Sequence, residues 1–234
     1  MPREKITSIR RKEITRDWSG CFPEFEAYKP MHLVRRNGPF LCGIYLEVPS
    51  GNWDYRVFFH VHNLMIEFPA ISLCANMSVR NSKGVTDGFS SLRHSNEFGE
   101  AAKKLRDQCI LLQKNTVSTD DLVNYLENIS VAPVWNQECN NAWGDYVYRD
   151  IVLAHFWCGN KEKAESRLLK FKRSLKEWPP TVLNGFGGVE EWEKSLRKLM
   201  DHSQLQKTVQ SELERHALER YTDYGFICGC DSAT

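Results

Sequence analysis

Residues 40–66 read FLCGIYLEVPSGNWDYRVFFHVHNLMI, and this stretch predicts two adjacent β-strands. In its second half the apolar residues Tyr55, Val57 and Phe59 occupy every second position, so they share one side of a strand. The residues PSGN between the two halves are typical of a turn. A third strand is predicted at 71–79, and the three together indicate an antiparallel β-meander.

The spacing of apolar residues changes farther along the chain. Beyond a Ser- and Gly-rich segment at 81–95, apolar residues such as Phe98, Ala102 and Leu105 recur every three to four positions. That spacing is typical of helices with one buried side. The sequence therefore predicts an α+β fold, with an N-terminal antiparallel β-meander followed by a C-terminal set of five or six antiparallel helices.

Composition narrows the class of protein. The chain has 234 residues, of which 41% are apolar, and it carries 31 basic against 30 acidic residues. This apolar content excludes a disordered chain. The charge balance disfavours a general nucleic-acid binder or a membrane-surface protein, because these usually carry a basic excess. We expect a sheet region over 1–80 and a helical region over 81–234, in one compact domain or in two tightly packed lobes.

The N-terminus MPREK is polar and lacks the apolar core of a signal peptide. The apolar stretches are also too short to span a bilayer, so a cytoplasmic location is predicted. In that compartment the eight cysteines are expected to be reduced, and most of them buried. The close pair Cys228-Gly229-Cys230 is interpreted as part of a flexible tail, with a metal or redox role as the alternative. No cofactor is predicted.

His60-Val61-His62 is the strongest candidate for a catalytic or metal-binding site. Two histidines one residue apart project from the same side of a strand, about 6–7 Å from each other, which suits metal ligation or acid–base chemistry. Arg56 lies on that side too, and an antiparallel sheet commonly keeps one face in water, so a structural role is favoured. The alternative is a small metal-dependent hydrolase or phosphoesterase that uses His60 and His62.

Two further patterns concern binding. The run 161–176 contains seven basic residues opposite an apolar stripe. It is interpreted as a solvated helix face, with an RNA-associated factor as a second alternative. Because no catalytic motif is present, no catalytic residue is predicted and a protein-binding or inhibitor protein is favoured over an enzyme. The candidate anchors for a protein partner, on the polar sheet face and adjoining loops, are Trp53, Arg56, Phe58 and Phe89.

One stretch resembles a known kind of unit. Residues 148–169 read YRDIVLAHFWCGNKEKAESRLL, in which a Gly-Asn turn joins two helical segments. This hairpin resembles tetratricopeptide-like units, which occur in the α-helical parts of bacterial toxin-immunity proteins, and the α+β organisation is similar to that class. The resemblance implies an intracellular inhibitor that neutralises a cognate toxin enzyme by occluding its active site. It assigns no role to any single residue, and the oligomeric state is left open.

Overall fold

A computed structural model describes residues 5–49, 53–130 and 140–229, and it confirms the α+β prediction. An antiparallel sheet is followed by helices, and one helix, α1 (Ser8–Cys21), precedes the sheet. The strands are β1 (Glu26–Lys29), β2 (His32–Asn37), β3 (Phe40–Glu47), β4 (Asp54–Asn63), β5 (Ala75–Ser78) and β6 (Gly88–Ser90).

The strands lie in the order β1-β2-β3-β4-β5, and β6 pairs with β4 alongside β5. The two strands predicted within 40–66 are β3 and β4, although most of the turn predicted between them, Ser50 to Asn52, lies outside the described residues. The strand predicted at 71–79 is shorter than expected. It begins only at Ala75, because the preceding backbone forms a turn in which Asn76 N–H donates to Cys74 O.

The helices follow the predicted apolar stripes closely. Side chains cap several of them; for example, Asn160 Oδ1 accepts from the backbone N–H of Lys163, and Asp201 Oδ1 accepts from that of Gln204. No helix in the described ranges is long and apolar enough to cross a membrane. The remaining elements are α2 (His94–Gln108), β7 (Val117–Ser118), α3 (Thr119–Ser130), α4 (Asn140–Trp157), α5 (Lys161–Leu175), α6 (Pro180–Leu183), α7 (Val189–Leu199), α8 (His202–Arg215) and β8 (Phe226–Ile227).

One side of β4, which we call the inner face, carries Tyr55, Val57 and Phe59, and all three are fully buried. Helices α1, α2 and α3 supply the buried side chains that meet it. Trp18 Nε1 donates to the Tyr55 hydroxyl at 3.3 Å, and the ring of Tyr125 meets Phe59 edge-on with centroids 5.4 Å apart. This packing places the main core between the sheet and the three helices.

The opposite side of β4, the histidine face, carries Arg56, Phe58, His60 and His62. The prediction that this face is wet holds at Arg56, which is exposed, but it is wrong at the histidines, which are 0% and 2% exposed. The segment after β4 folds back over His62, where Ser72 N–H donates to His62 Nδ1 at 3.0 Å, and His60 packs against His32 of β2. Helix α8 contacts the same segment through Glu212, whose Oε2 accepts from the backbone N–H of Phe68, so the two histidines are covered whereas Arg56 is exposed.

The cysteine prediction needs one correction. Cys158, at the end of α4, forms a disulfide with Cys228 although the two are 70 residues apart. The parallel pairing of β7 with β8 brings the C-terminal segment to this position. Disulfides are typical of oxidising compartments and rare in the cytoplasm, so this bond does not support the predicted cytoplasmic location, which stays a prediction. The free cysteines in the described ranges are Cys21, Cys42, Cys74 and Cys109, and Cys139 and Cys230 lie outside those ranges.

Candidate functional site: a cleft at the sheet edge

A cleft of about 600 Å³ lies beside the outer edge of β5, between that strand, the end of α2 and α3. Its walls combine guanidinium, amide and hydroxyl groups with apolar side chains, the mixture that is typical of ligand sites. The lining residues are Arg56, Phe58, Asn76, Met77, Ser78, Arg80, Thr86, Gln108, Ile110, Asn124, Tyr125, Asn128 and Ile129.

The register of β5 determines which backbone groups face this cleft. Phe58 lies opposite Ser78, and Val79 N–H donates to Val57 O at 3.0 Å. Bonded and non-bonded pairs alternate along an antiparallel ladder, so the Phe58–Ser78 pair is a non-bonded one. The backbone N–H and C=O of Ser78, and likewise the C=O of Asn76, therefore point away from β4 and toward the cleft.

A side chain closes one end of this edge. Gln108 Nε2 donates to Arg80 O, and Gln108 Oε1 accepts from Arg80 N–H, both at 3.2 Å, so one carboxamide satisfies the outward groups of Arg80 as a neighbouring strand would. Asn76 N–H is bonded within its own turn. Within the described part of the chain, the backbone N–H and C=O of Ser78 and the C=O of Asn76 have no hydrogen-bond partner.

The cleft carries positive charge. Arg56 is exposed, and its guanidinium lies 3.8 Å from Glu47, a half-exposed pair of the kind that contributes little binding energy. Arg80 has no carboxylate within 4.0 Å among the residues that the structure describes. The lining itself contains no acidic side chain. Two guanidinium groups without a strong counterion favour an anionic ligand.

The apolar wall of the cleft is held in place by hydrogen bonds beneath it. The Tyr125 hydroxyl donates to Ala75 O at 3.2 Å, and burial raises the pKa of this phenol well above its ordinary value. Phe58 is half-buried on the opposite side of the strand edge, and Ile110 and Ile129 complete the surface. A ligand therefore meets a preorganised apolar surface next to the two arginines.

The structure brings two of the four predicted anchors, Arg56 and Phe58, together in this cleft. Trp53 lines a separate pocket of about 170 Å³ at the start of β4. Phe89 was expected in a loop, but it lies in β6, only 6% exposed, with its ring centroid 5.8 Å from that of Tyr55. Its prediction as a surface anchor is corrected on this ground.

Sequence reasoning missed several lining residues. Arg80 follows a strand and belongs to no local motif. Gln108 ends a helix whose polar residues all look alike in sequence. Asn124 and Asn128 are one helical turn apart, and Asn128 Nδ2 donates to Asn124 Oδ1 at 2.7 Å. The spacing of these two amides on one side of α3 is a sequence signal that could have identified them.

The histidine nearest the cleft belongs to a buried pair. His60 Nε2 lies 2.8 Å from His32 Nε2, and the glycine opposite it in β3, Gly43, leaves room for the ring. Burial lowers the pKa of His32 to about 3 and that of His60 well below its ordinary value, so both are neutral at pH 7. The pair has no opening to solvent and is read as part of the packing of the face.

His62 lies in a second buried cluster with Glu212 and His216, whose ligand atoms are all within 4.8 Å of one another. Two histidines and a glutamate form a recognised zinc ligand set. The hydrogen bonds do not fit a metal, because Ser72 N–H occupies the lone pair of His62 Nδ1 and the neutral ring must then carry its proton on Nε2. Neither nitrogen of His62 therefore has a free lone pair for a metal ion. Arg215 Nη1, 2.8 Å from Glu212 Oε1, adds further positive charge. We therefore derive no metal chemistry from this cluster.

The contacts of the cluster indicate a structural role instead. Glu212 Oε2 accepts from the backbone N–H of Phe68 at 3.1 Å, which ties α8 to the segment after β4. Burial lowers the pKa of His62 to about 4, with a smaller contribution from His216. These contacts lend no support to a hydrolase at His60 and His62.

The basic run on α5 is partly neutralised. Its apolar stripe is buried, as predicted, and Arg167 Nη1 lies 2.6 Å from Glu127 Oε1. Lys172 pairs with Glu190 and Glu193. These ion pairs reduce the charge that the helix offers to an RNA backbone.

Compared with known proteins, the chain matches no family model, no curated protein and no solved structure.

Proposed function

We propose that this protein acts by binding another protein, and that the cleft beside β5 is its binding site. The proposal is carried by one observation: the same cleft contains two arginines without a strong counterion, an apolar wall and unpaired backbone groups. Buried arginine and aromatic contacts dominate many protein interfaces. Arg56 and Phe58 are the residues expected to contribute most.

The mechanism is steric. The sheet and the helices behind it hold the cleft in one shape, so little conformational entropy is lost when a partner binds. In the narrower form of the proposal, the partner is a toxin enzyme and binding occludes its active site. The hairpin formed by α4 and α5 supports that form only through its resemblance to helical hairpins of toxin-immunity proteins.

The test is co-purification of tagged protein from its source cells. Wild type should retain a stoichiometric partner, whereas Phe58→Ala and the double variant Arg56→Ala/Arg80→Ala should lose it. The double variant Lys170→Ala/Arg173→Ala removes the same charge from the exposed side of α5, and it should retain the partner. Trp53→Ala should also retain it, because Trp53 lies outside the cleft.

Retention of the partner by both cleft variants would overturn the proposal. The narrower form has its own readout: the purified partner should show an enzymatic activity that one equivalent of wild type abolishes and that Arg56→Ala/Arg80→Ala leaves intact.

A further inference from the structure

We infer that the segment captured by the cleft is an extended stretch of the partner with alternating acidic and apolar residues, added to the outer edge of β5 as a further strand. This inference rests on the proposed function and states its mode of recognition. Three features carry it: the unpaired backbone groups, the position of the two arginines, and the apolar surface on the other side of the edge.

The edge of β5 has free backbone groups with which a further strand could pair. An added strand lies about 4.8 Å from its neighbour and bonds to outward-facing N–H and C=O groups. Ser78 offers both groups and Asn76 offers its C=O, whereas Gln108 already occupies the outward groups of Arg80. The captured segment therefore pairs over a short length and ends where the Gln108 carboxamide begins, which limits its register.

The side chains on the two sides of the edge favour one sequence pattern in the captured segment. Ser78 and Phe58 share the histidine face, and by alternation Arg80 lies on that side as well, as does Arg56. Every second side chain of an added strand would point to this side, where carboxylates meet the two guanidinium groups. The intervening side chains would point to the other side, toward Tyr125. Acidic residues alternating with apolar ones match both surfaces.

The edge is protected against indiscriminate pairing. Exposed strand edges invite aggregation, and natural proteins shorten them or cover them. Here β5 has four residues, Ser78 is only 7% exposed at the floor of the cleft, and Gln108 caps the edge. Access is restricted to a narrow extended chain, as a specific strand-binding site requires.

The probe for the test is the peptide acetyl-Glu-Val-Glu-Val-Glu-Val-Glu-amide, with binding measured by isothermal titration calorimetry at low salt. Two control peptides accompany it: one has Lys in place of every Glu, and one is N-methylated at alternate backbone amides. The protein variants are Ser78→Pro, which deletes the outward N–H without touching a β4 hydrogen bond, and Ser78→Ala, which removes only the hydroxyl.

The expected result is saturable binding of the acidic peptide to wild type and to Ser78→Ala. The acidic peptide should bind roughly tenfold more weakly to Ser78→Pro and to Arg56→Ala/Arg80→Ala than to wild type. The N-methylated peptide should bind roughly tenfold more weakly to wild type than the acidic peptide does, since each of these changes removes backbone or charge-assisted hydrogen bonds. The Lys peptide should not bind. Circular dichroism checks that Ser78→Pro is folded, and if it is not, the N-methylated peptide tests the same bonds on wild type.

Equal binding of the methylated and unmethylated peptides would overturn strand addition, and equal binding of the Lys and Glu peptides would overturn the acidic pattern. Failure of the acidic peptide to bind would overturn the inference as a whole. In each case, loss of the co-purified partner from Arg56→Ala/Arg80→Ala would still support the cleft as the binding site. Failure of the strand-addition inference can therefore be distinguished from failure of the proposed function.

Discussion

Replacing Gly43 with alanine should destabilise the protein strongly. Gly43 lies opposite His60 in the β3–β4 register, and an added Cβ would stand 2.1 Å from His60 Nε2 and 2.6 Å from Cε1. The ring cannot give way easily, because it is fully buried and its Nε2 is hydrogen-bonded to His32 Nε2 at 2.8 Å. Relief of the clash requires the ring to move and the pair to break.

Two costs make up the magnitude. Forcing extra volume into a packed core costs about 1–3 kcal/mol. Leaving buried polar atoms of His32 and His60 without their shared hydrogen bond costs about 1–3 kcal/mol more. We therefore expect Gly43→Ala to lower the free energy of unfolding by roughly 2–6 kcal/mol, measured by urea denaturation with tryptophan fluorescence.

Two controls isolate the cause. Gly99→Ala, on the exposed side of α2 with no heavy atom within 4 Å of its added Cβ, should raise stability by up to about 1 kcal/mol. In a His60→Ala background, Gly43→Ala should cost less than about 0.5 kcal/mol, because the ring that it meets is gone. A single variant as stable as wild type, or an undiminished cost in the His60→Ala background, would refute the reasoning.

Three further changes have defined outcomes in the same denaturation assay. Tyr55→Phe should cost about 1–3 kcal/mol, because the hydroxyl bonds His94 Nδ1 at 2.8 Å and also accepts a buried indole N–H; a neutral result would contradict this. Lowering the pH from 7 to 5 should cost about 2 kcal/mol through His62 alone, because the unfolded chain takes up a proton below about pH 6.5 whereas burial lowers the folded pKa to about 4. His62→Gln should show a smaller pH dependence, and an unchanged one would count against the burial of His62. Reduction of the Cys158–Cys228 disulfide should cost about 2–4 kcal/mol, whereas Cys228→Ser should be insensitive to dithiothreitol.

The sequence predicted the elements whose signal is local. Alternation within 40–66 predicted β3 and β4, and the stripe through Ala102 and Leu105 predicted α2. The short strand β2 was missed, because its pattern includes charged residues that are normally exposed. Arg35 in β2 is nevertheless 1% exposed, since its guanidinium donates to the backbone carbonyls of Leu111 and Lys114. Those partners are more than 70 residues away, and no local pattern reveals them.

The candidate site, like the fold, could be predicted from the sequence only in part. Arg56 and Phe58 were predicted as anchors because they share one side of a clearly alternating strand. The burial of His62 depends on how the segment after β4 and α8 pack, and the position of Arg80 in the cleft depends on a turn and on Gln108 from α2. Both are outcomes of tertiary packing, to which a periodicity argument has no access.

The most direct test of the central claim is amide hydrogen exchange of Ser78, measured by NMR with and without the co-purified partner. In the free protein the Ser78 N–H has no hydrogen-bond partner in the described part of the chain, whereas the register places the Met77 N–H in the ladder with β4. We therefore expect Ser78 to exchange faster than Met77 in the free protein, and to slow markedly in the complex. If the partner leaves exchange at Ser78 unchanged while protecting amides elsewhere, such as those of α5, the cleft is not the binding site.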